Sequence, residues 1–186
     1  NRRKDQNCDW KSGNRSVMAM IYNYNSLNAK DLDFFETLPI SQSIRFVGME
    51  PVLACHGTPF ENQKALLSED LFVQKCEERY IICGHTHMQG FVSDGKKKII
   101  NAGAVGVPLK SPKKTQYMIL TSDGKDWKPE FLSLEYDVDT VIKEIHESGL
   151  WDASPYWCRI TEHLLDTGEL PHGTVLNHVM KLNDYQ

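Results

Sequence analysis

The sequence predicts an α/β fold, and three observations carry that prediction. Two short apolar runs, 51–55 and 80–83, each stop at a turn built from glycine and histidine. A segment with helical spacing lies between them, and beyond them two pairs of strand-like runs flank Asp-Gly turns. Strand, helix, strand in that order is a βαβ unit, whose crossover makes the two strands parallel. With 186 residues, 40% hydrophobic and 25% charged, the chain has the composition of a globular protein, expected as one domain over 1–186. A net charge of −4 argues against nucleic-acid binding by blanket phosphate neutralisation, while leaving room for a local basic groove. No apolar run approaches the ~18 residues of a transmembrane helix, so no membrane role is expected.

Residues 1–16 lack periodicity and read as a mobile loop anchored by Trp10. Val17 to Leu27 reads as helical. Asn28 is placed as an N-cap with Asp31 three residues on; Leu32, Phe34, Phe35 and Leu38 then form an apolar stripe that Pro39 terminates. Ile44–Val47 and Pro51–Cys55 read as strands joined at Gly48-Met49-Glu50. Ser68 caps a helix expected to run through Arg79, with Leu71, Phe72, Lys75 and Cys76 near one face. Tyr80–Cys83 is the next strand. Gly90–Val92 and Lys98–Ile100 flank Ser93-Asp94-Gly95, where Asp-Gly suits a type I′ hairpin. Gln116–Thr121 and Glu130–Glu135 form a second hairpin around Asp123-Gly124. Asp137 caps a helix carrying Val138, Val141, Ile142 and Ile145 that ends at Gly149. Pro155, after Ser154, opens another that ends near Gly168. The stretch from Leu170 carries no decisive signal.

His56 and the pair His85 and His87 fall at the carboxyl ends of the two parallel strands, the edge where open α/β sheets bind ligands. A lone histidine is usually a surface or satisfied core residue. Three at strand ends, two of them in Gly-His-Thr-His, point instead to a metal site, because neutral imidazole on stiff backbone suits borderline divalent cations. Cys55 and Cys83 stand beside them as thiolate alternatives, although each ends an apolar strand and reads better as a small buried residue. The five cysteines, Cys8, Cys55, Cys76, Cys83 and Cys158, are odd in number and follow no signal-peptide pattern, so a reducing cytoplasm is expected. Lys96-Lys97-Lys98 and Lys110, Lys113 and Lys114 read as a solvated hairpin and loop before an anion site. Tyr22, Tyr24, Phe34 and Phe35 read as core or rim packing.

His56-Gly57, Gly84-His85-Thr86-His87 and Asn101-Ala102-Gly103-Ala104-Val105-Gly106-Val107-Pro108 together resemble the last three motifs of the calcineurin-like metallophosphoesterases, with Ala102 and Ala104 where that family usually has Pro and Ser. Leu134-Glu135-Tyr136-Asp137 and the helix after it are similar to the smaller bacterial members. The resemblance spans about 17–168 and implies a two-sheet sandwich flanked by helices. It implies two divalent cations, from among Mn, Fe, Zn, Ni and Co, and a metal-activated hydroxide that hydrolyses a phosphate mono- or diester. His56 and His85 would bind one cation and His87 the other, with Gly57, Gly84, Asn101, Gly103 and Gly106 in the adjoining loops. The family's Asp-x-His and Gly-Asp-x-x-Asp motifs are absent. Gly13-Asn14-Arg15-Ser16 imitates the Gly-Asn-His-Asp motif, but a polar stretch precedes it, so Asn14 reads as a loop residue. The chain begins at Asn1 rather than Met, as though the amino-terminal part were missing, and no catalytic residue is assigned. Two functions follow. One is the carboxyl-terminal part of a phosphoesterase that acts with an amino-terminal segment or a partner subunit. The other is a non-catalytic metal-binding or interaction module.

Overall fold

The computed structural model describes residues 15–66 and 71–170. It begins with α1 (Arg15–Ser26), so Arg15 and Ser16 are helical rather than the end of a loop; residues 1–14, Asn14 among them, and the Ser68 cap lie outside the described residues. Next is α2 (Ala29–Thr37), held at its start by a capping box. The Asn28 side chain accepts from Lys30 N and Asp31 N at 2.9 and 3.1 Å, and the Asp31 carboxylate accepts from Asn28 N. The helix stops before Pro39 as expected. Its apolar stripe is uncovered, with Phe34, Phe35 and Leu38 each at least half exposed.

Five short strands follow: β1 (Ser41–Ile44), β2 (Val52–Cys55), β3 (Tyr80–Cys83), β4 (Gly90–Ser93) and β5 (Lys98–Asn101). They form one sheet in the order β1-β2-β3-β5-β4, parallel across β2, β3 and β5 and antiparallel at both edges. The expected parallel pairing of 52–55 with 80–83 is present. The first strand is not where the sequence reading put it: Ser41 to Ile44 pair with Cys55 to Val52, leaving Arg45 to Val47 outside the ladder. Ser-Gln-Ser lacks a β-branched signal because an edge strand needs little burial. The helix before β3 is also shorter than expected. In α3 (Leu71–Lys75) the chain leaves helix well before Arg79, and the Lys97 ammonium binds the freed carbonyls of Cys76 and Glu78.

Two long strands, β6 (Lys114–Ser122) and β7 (Trp127–Glu135), form a hairpin that makes a second sheet. Strand periodicity then sorts the core. Val52, Tyr80 and Ile100 face the hairpin and pack on Trp127, with Met118, Leu120 and Phe131 around them. Leu53, Ile81, Ile99 and Cys83 face the other way, onto Val73 of α3 and onto Leu66, which precedes that helix. The result is the two-sheet sandwich with flanking helices. A polar knot pins the hairpin at the start of β3. The buried Tyr80 hydroxyl donates to Asp126 and accepts from Trp127 N at 3.2 Å and Lys98 Nζ at 3.1 Å, while Trp127 Nε1 donates to Glu50 O at 2.9 Å. The opposite, carboxyl ends of β2, β3 and β5 are left for the histidines.

Three helices complete the described chain: α4 (Val138–Glu147), capped by Asp137 through Thr140 N at 3.0 Å; the short α5 (Leu150–Ala153); and α6 (Pro155–Thr167), which ends at Gly168 with φ 67°. They pack with α1, where Tyr22 donates to Ser148 O at 3.1 Å. Among the described residues no helix is long and apolar enough to cross a membrane.

Candidate metal centre

His56 follows β2 and His85 follows β3 with one glycine between, so adjacent parallel strands deliver the two imidazoles to the same edge. Their ring centroids are 5.4 Å apart in an edge-to-face arrangement. The ladder continues past the strands, since Gly84 N donates to His56 O at 2.8 Å. Desolvation of the ring, then repulsion from His85 and His87, lowers the pKa of His56 and favours the neutral form that a cation needs.

His87 is set by a different device. Its Nδ1 lies 2.9 Å from Val107 O, and a carbonyl only accepts, so Nδ1 carries the proton and Nε2 the lone pair. Metal-binding histidines are commonly oriented in this way. Both His85 (φ 65°) and His87 (φ 58°) adopt the left-handed backbone region, which costs a residue with a Cβ about 1–2 kcal/mol. Such strain persists only where neighbours enforce it. Asn101 is the enforcer: its amide donates to Gly84 O at 2.6 Å and Thr86 Oγ1 at 2.9 Å, and its Oδ1 accepts from Gly103 N at 2.9 Å. One side chain thus ties the Gly-His-Thr-His turn to the 101–108 loop.

The glycines named from the sequence differ in role. A Cβ at Gly57 would lie 2.5 to 2.8 Å from three carbonyl oxygens of the 61–64 turn, so that turn closes only over glycine. Gly103 has φ +89°, and a Cβ there would collide with Gln116 Oε1 and sit 2.7 Å from Gln89 Cγ. At Gly84 a Cβ would make ordinary contact with His56, and at Gly106 it would meet nothing within 4 Å. Three participants carry no distinct sequence signal. Val107 acts through its backbone carbonyl. Buried Thr58 closes the turn after His56 by accepting from Glu61 N at 2.9 Å. Gln89 anchors the site to the hairpin through Tyr117 O at 2.8 Å and Leu132 O at 3.1 Å.

The thiols sit differently. Burial pushes Cys55 up to about 12 and Cys83 up to about 11, so both stay protonated at neutral pH. Cys55 Sγ donates to Gly57 O at 3.3 Å, as a packed thiol does. The donor chemistry of the three imidazoles fits a borderline divalent ion. Among the described residues, however, no three His, Cys, Asp or Glu side chains are grouped closely enough to hold one alone, and no carboxylate joins the histidines.

The sequence profile of the calcineurin-like phosphoesterase superfamily domain matches residues 7–125. An uncharacterised protein of Methanocaldococcus jannaschii is 26% identical over 161 residues, covering 76% of this chain. The chain spans 62% of that relative's length. Among solved structures, a metallophosphoesterase from Sphaerobacter thermophilus superposes with a TM-score of 0.61 at 19% identity, over 80% of this chain and 67% of that one. A hypothetical protein from Pyrococcus horikoshii superposes at 0.60 and 12% identity, over 86% and 72%.

Proposed function

The chain belongs to the calcineurin-like phosphoesterase superfamily, and from that premise we propose that it is the histidine-bearing part of a metal-dependent hydrolase of phosphate mono- or diesters. The observation that carries the reading is the edge-to-face pair His56 and His85, 5.4 Å apart at the ends of parallel strands, with His87, two residues after His85, held in one tautomer by Val107 O. A divalent cation bound there, of the Mn, Fe, Zn, Ni or Co class, would supply hydroxide at neutral pH and neutralise phosphoryl charge. His56 and His85 would hold one cation, and His87 would offer Nε2 to a second. Asn101 keeps both histidines of the Gly-His-Thr-His turn in place. No carboxylate joins the histidines among the described residues, so those that would complete a two-metal cage are to be sought outside them. Among the described residues no disulfide joins Cys55, Cys76, Cys83 or Cys158, which fits a reducing cytoplasm.

A second reading, a non-catalytic metal-binding or interaction module, is favoured by the lack of a three-ligand cluster among the described residues. Elemental analysis after loading with Mn²⁺ or Zn²⁺, beside a His85→Ala, His87→Ala double variant, separates the two when combined with hydrolysis of 4-nitrophenyl phosphate and its bis ester. Metal lost in the variant, with ester hydrolysis by a chain of the relative's length, supports the enzyme. Metal bound through the histidines without hydrolysis by that longer chain supports the module. Equal metal content in both proteins would sink the histidine site altogether.

A further inference from the structure

We propose that the end of α6, which lies beyond the matched 7–125 region, is a positioning element for His87, with Gly168 as its key residue. The inference rests on His87 being a metal ligand, and it follows a chain of backbone hydrogen bonds. Val107 O receives the His87 ring proton at 2.9 Å, and Leu109 N donates back to His87 O at 2.9 Å, so segment 107–109 brackets the histidine from both sides. The next residues are fastened to the helix. Lys110 N donates to Gly168 O at 2.7 Å, and Lys113 N donates to Leu165 O at 2.9 Å. Lys110 and Lys113 both take positive φ, 59° and 56°, to make these bonds, and Lys113 Nζ adds an exposed ion pair with Asp166 at 3.1 Å.

Gly168 is where this strap, residues 107–113, meets the helix. It has φ +67°, and a Cβ there would lie 2.8 Å from Ser111 N, 2.9 Å from Pro112 N and 3.1 Å from Pro112 Cδ. Two of those atoms are backbone, so any side chain at 168 must push the strap away from the helix. Only two residues separate Lys110 from the carbonyl that fixes the His87 tautomer. Displacement of the strap therefore reaches the ring directly. Gly149 provides an internal control: it is also left-handed (φ +50°) and in the same helical layer, yet its Cβ would only touch the Tyr22 ring at 3.6 Å.

The test reads the ring rather than turnover. In the metal-free chain, ¹⁵N NMR of the histidine side chains should show His87 as the Nδ1–H tautomer with a slowly exchanging ring proton. Gly168→Ala should accelerate that exchange on the order of tenfold, the equivalent of one hydrogen bond, and mix the tautomers. Gly149→Ala should lower global stability and leave the His87 signal unchanged. An unaltered His87 signal in folded Gly168→Ala would overturn the proposal. Should that variant not fold, hydrogen exchange on the unaltered chain decides. The Leu109, Lys110 and Lys113 amides should share one opening constant within about threefold, whereas Leu109 protection persisting ~10-fold above the other two would refute a common clamp. Metal titration of the same samples keeps the premise separate: absence of His87 shifts on adding Zn²⁺ removes the ligand assignment, whatever the NMR shows of the strap.

Discussion

Replacing Asn101 by alanine removes three hydrogen bonds at once, those to Gly84 O, Thr86 Oγ1 and from Gly103 N. At about 1 kcal/mol net for each bond the upper estimate is ~3 kcal/mol. Asn101 is only partly buried, so water replaces some of what is lost, and the expected cost is about 2 kcal/mol. The assay is equilibrium unfolding of the metal-free chain in urea. With a slope near ~2 kcal/mol/M, the midpoint should fall by about 1 M with the slope unchanged. Asn101→Asp sharpens the test, since it retains the acceptor for Gly103 N but sets an anionic oxygen against the Gly84 carbonyl. At neutral pH it should cost at least as much as alanine. A loss below about 0.5 kcal/mol for both variants would refute the account of Asn101 as the restraint on the strained histidine turn, because that is the level of an indifferent surface change.

Other expectations concern strain, space and charge. His87→Gly should be more stable than His87→Ala by about 1 kcal/mol, since only glycine escapes the cost of φ 58°; thermal or urea unfolding of the pair checks it. Gly103→Ala should destabilise by roughly 1–3 kcal/mol through collision with Gln116 and Gln89, while Gly106→Ala, with open space around it, should stay within about 0.5 kcal/mol of the parent. The Tyr80 hydroxyl, then Lys98, holds the Asp126 carboxyl below the usual range. A depressed folded pKa gives stability that is full above the unfolded value of ~4 and is lost as pH falls through the folded one. Urea midpoints between pH 7 and pH 3 should therefore drop less steeply in Asp126→Asn than in the parent.

The legible parts of this chain are those where one local preference suffices. Tyr80 to Cys83 is apolar, β-branched at its centre and stopped by glycine, so both the strand and the place of its histidines could be read. The Asn28 and Asp137 caps were equally plain, because side-chain capping is a matter of three or four neighbouring residues. The type I′ turn expected at Asp94-Gly95 fails for a local reason. Asp94 Oδ1 accepts from both Lys96 N and Lys97 N, which stretches the loop to the four residues between Ser93 and Lys98. Asp123 repeats the device with Lys125 N and Asp126 N. What could not be read depends on distant partners. The early end of α3 is fixed by Lys97, 21 residues beyond Cys76. The tautomer of His87 is fixed by a backbone carbonyl, which has no letter of its own. The register of β1 follows from pairing with β2, and its polar sequence gives no hint of it.

Because His56 and His85 follow neighbouring strands of one parallel ladder, the gap between them is set first by the strand spacing of about 4.8 Å rather than by side-chain choice. Point substitution can retune a pocket wall, but it cannot rescale a lattice. Divergence at this edge is thus confined to two freedoms: what hangs from each rung, and how the 101–113 segment presents the third imidazole. An engineer seeking a different cation would leave β2 and β3 alone and vary the strap, where geometry is still adjustable.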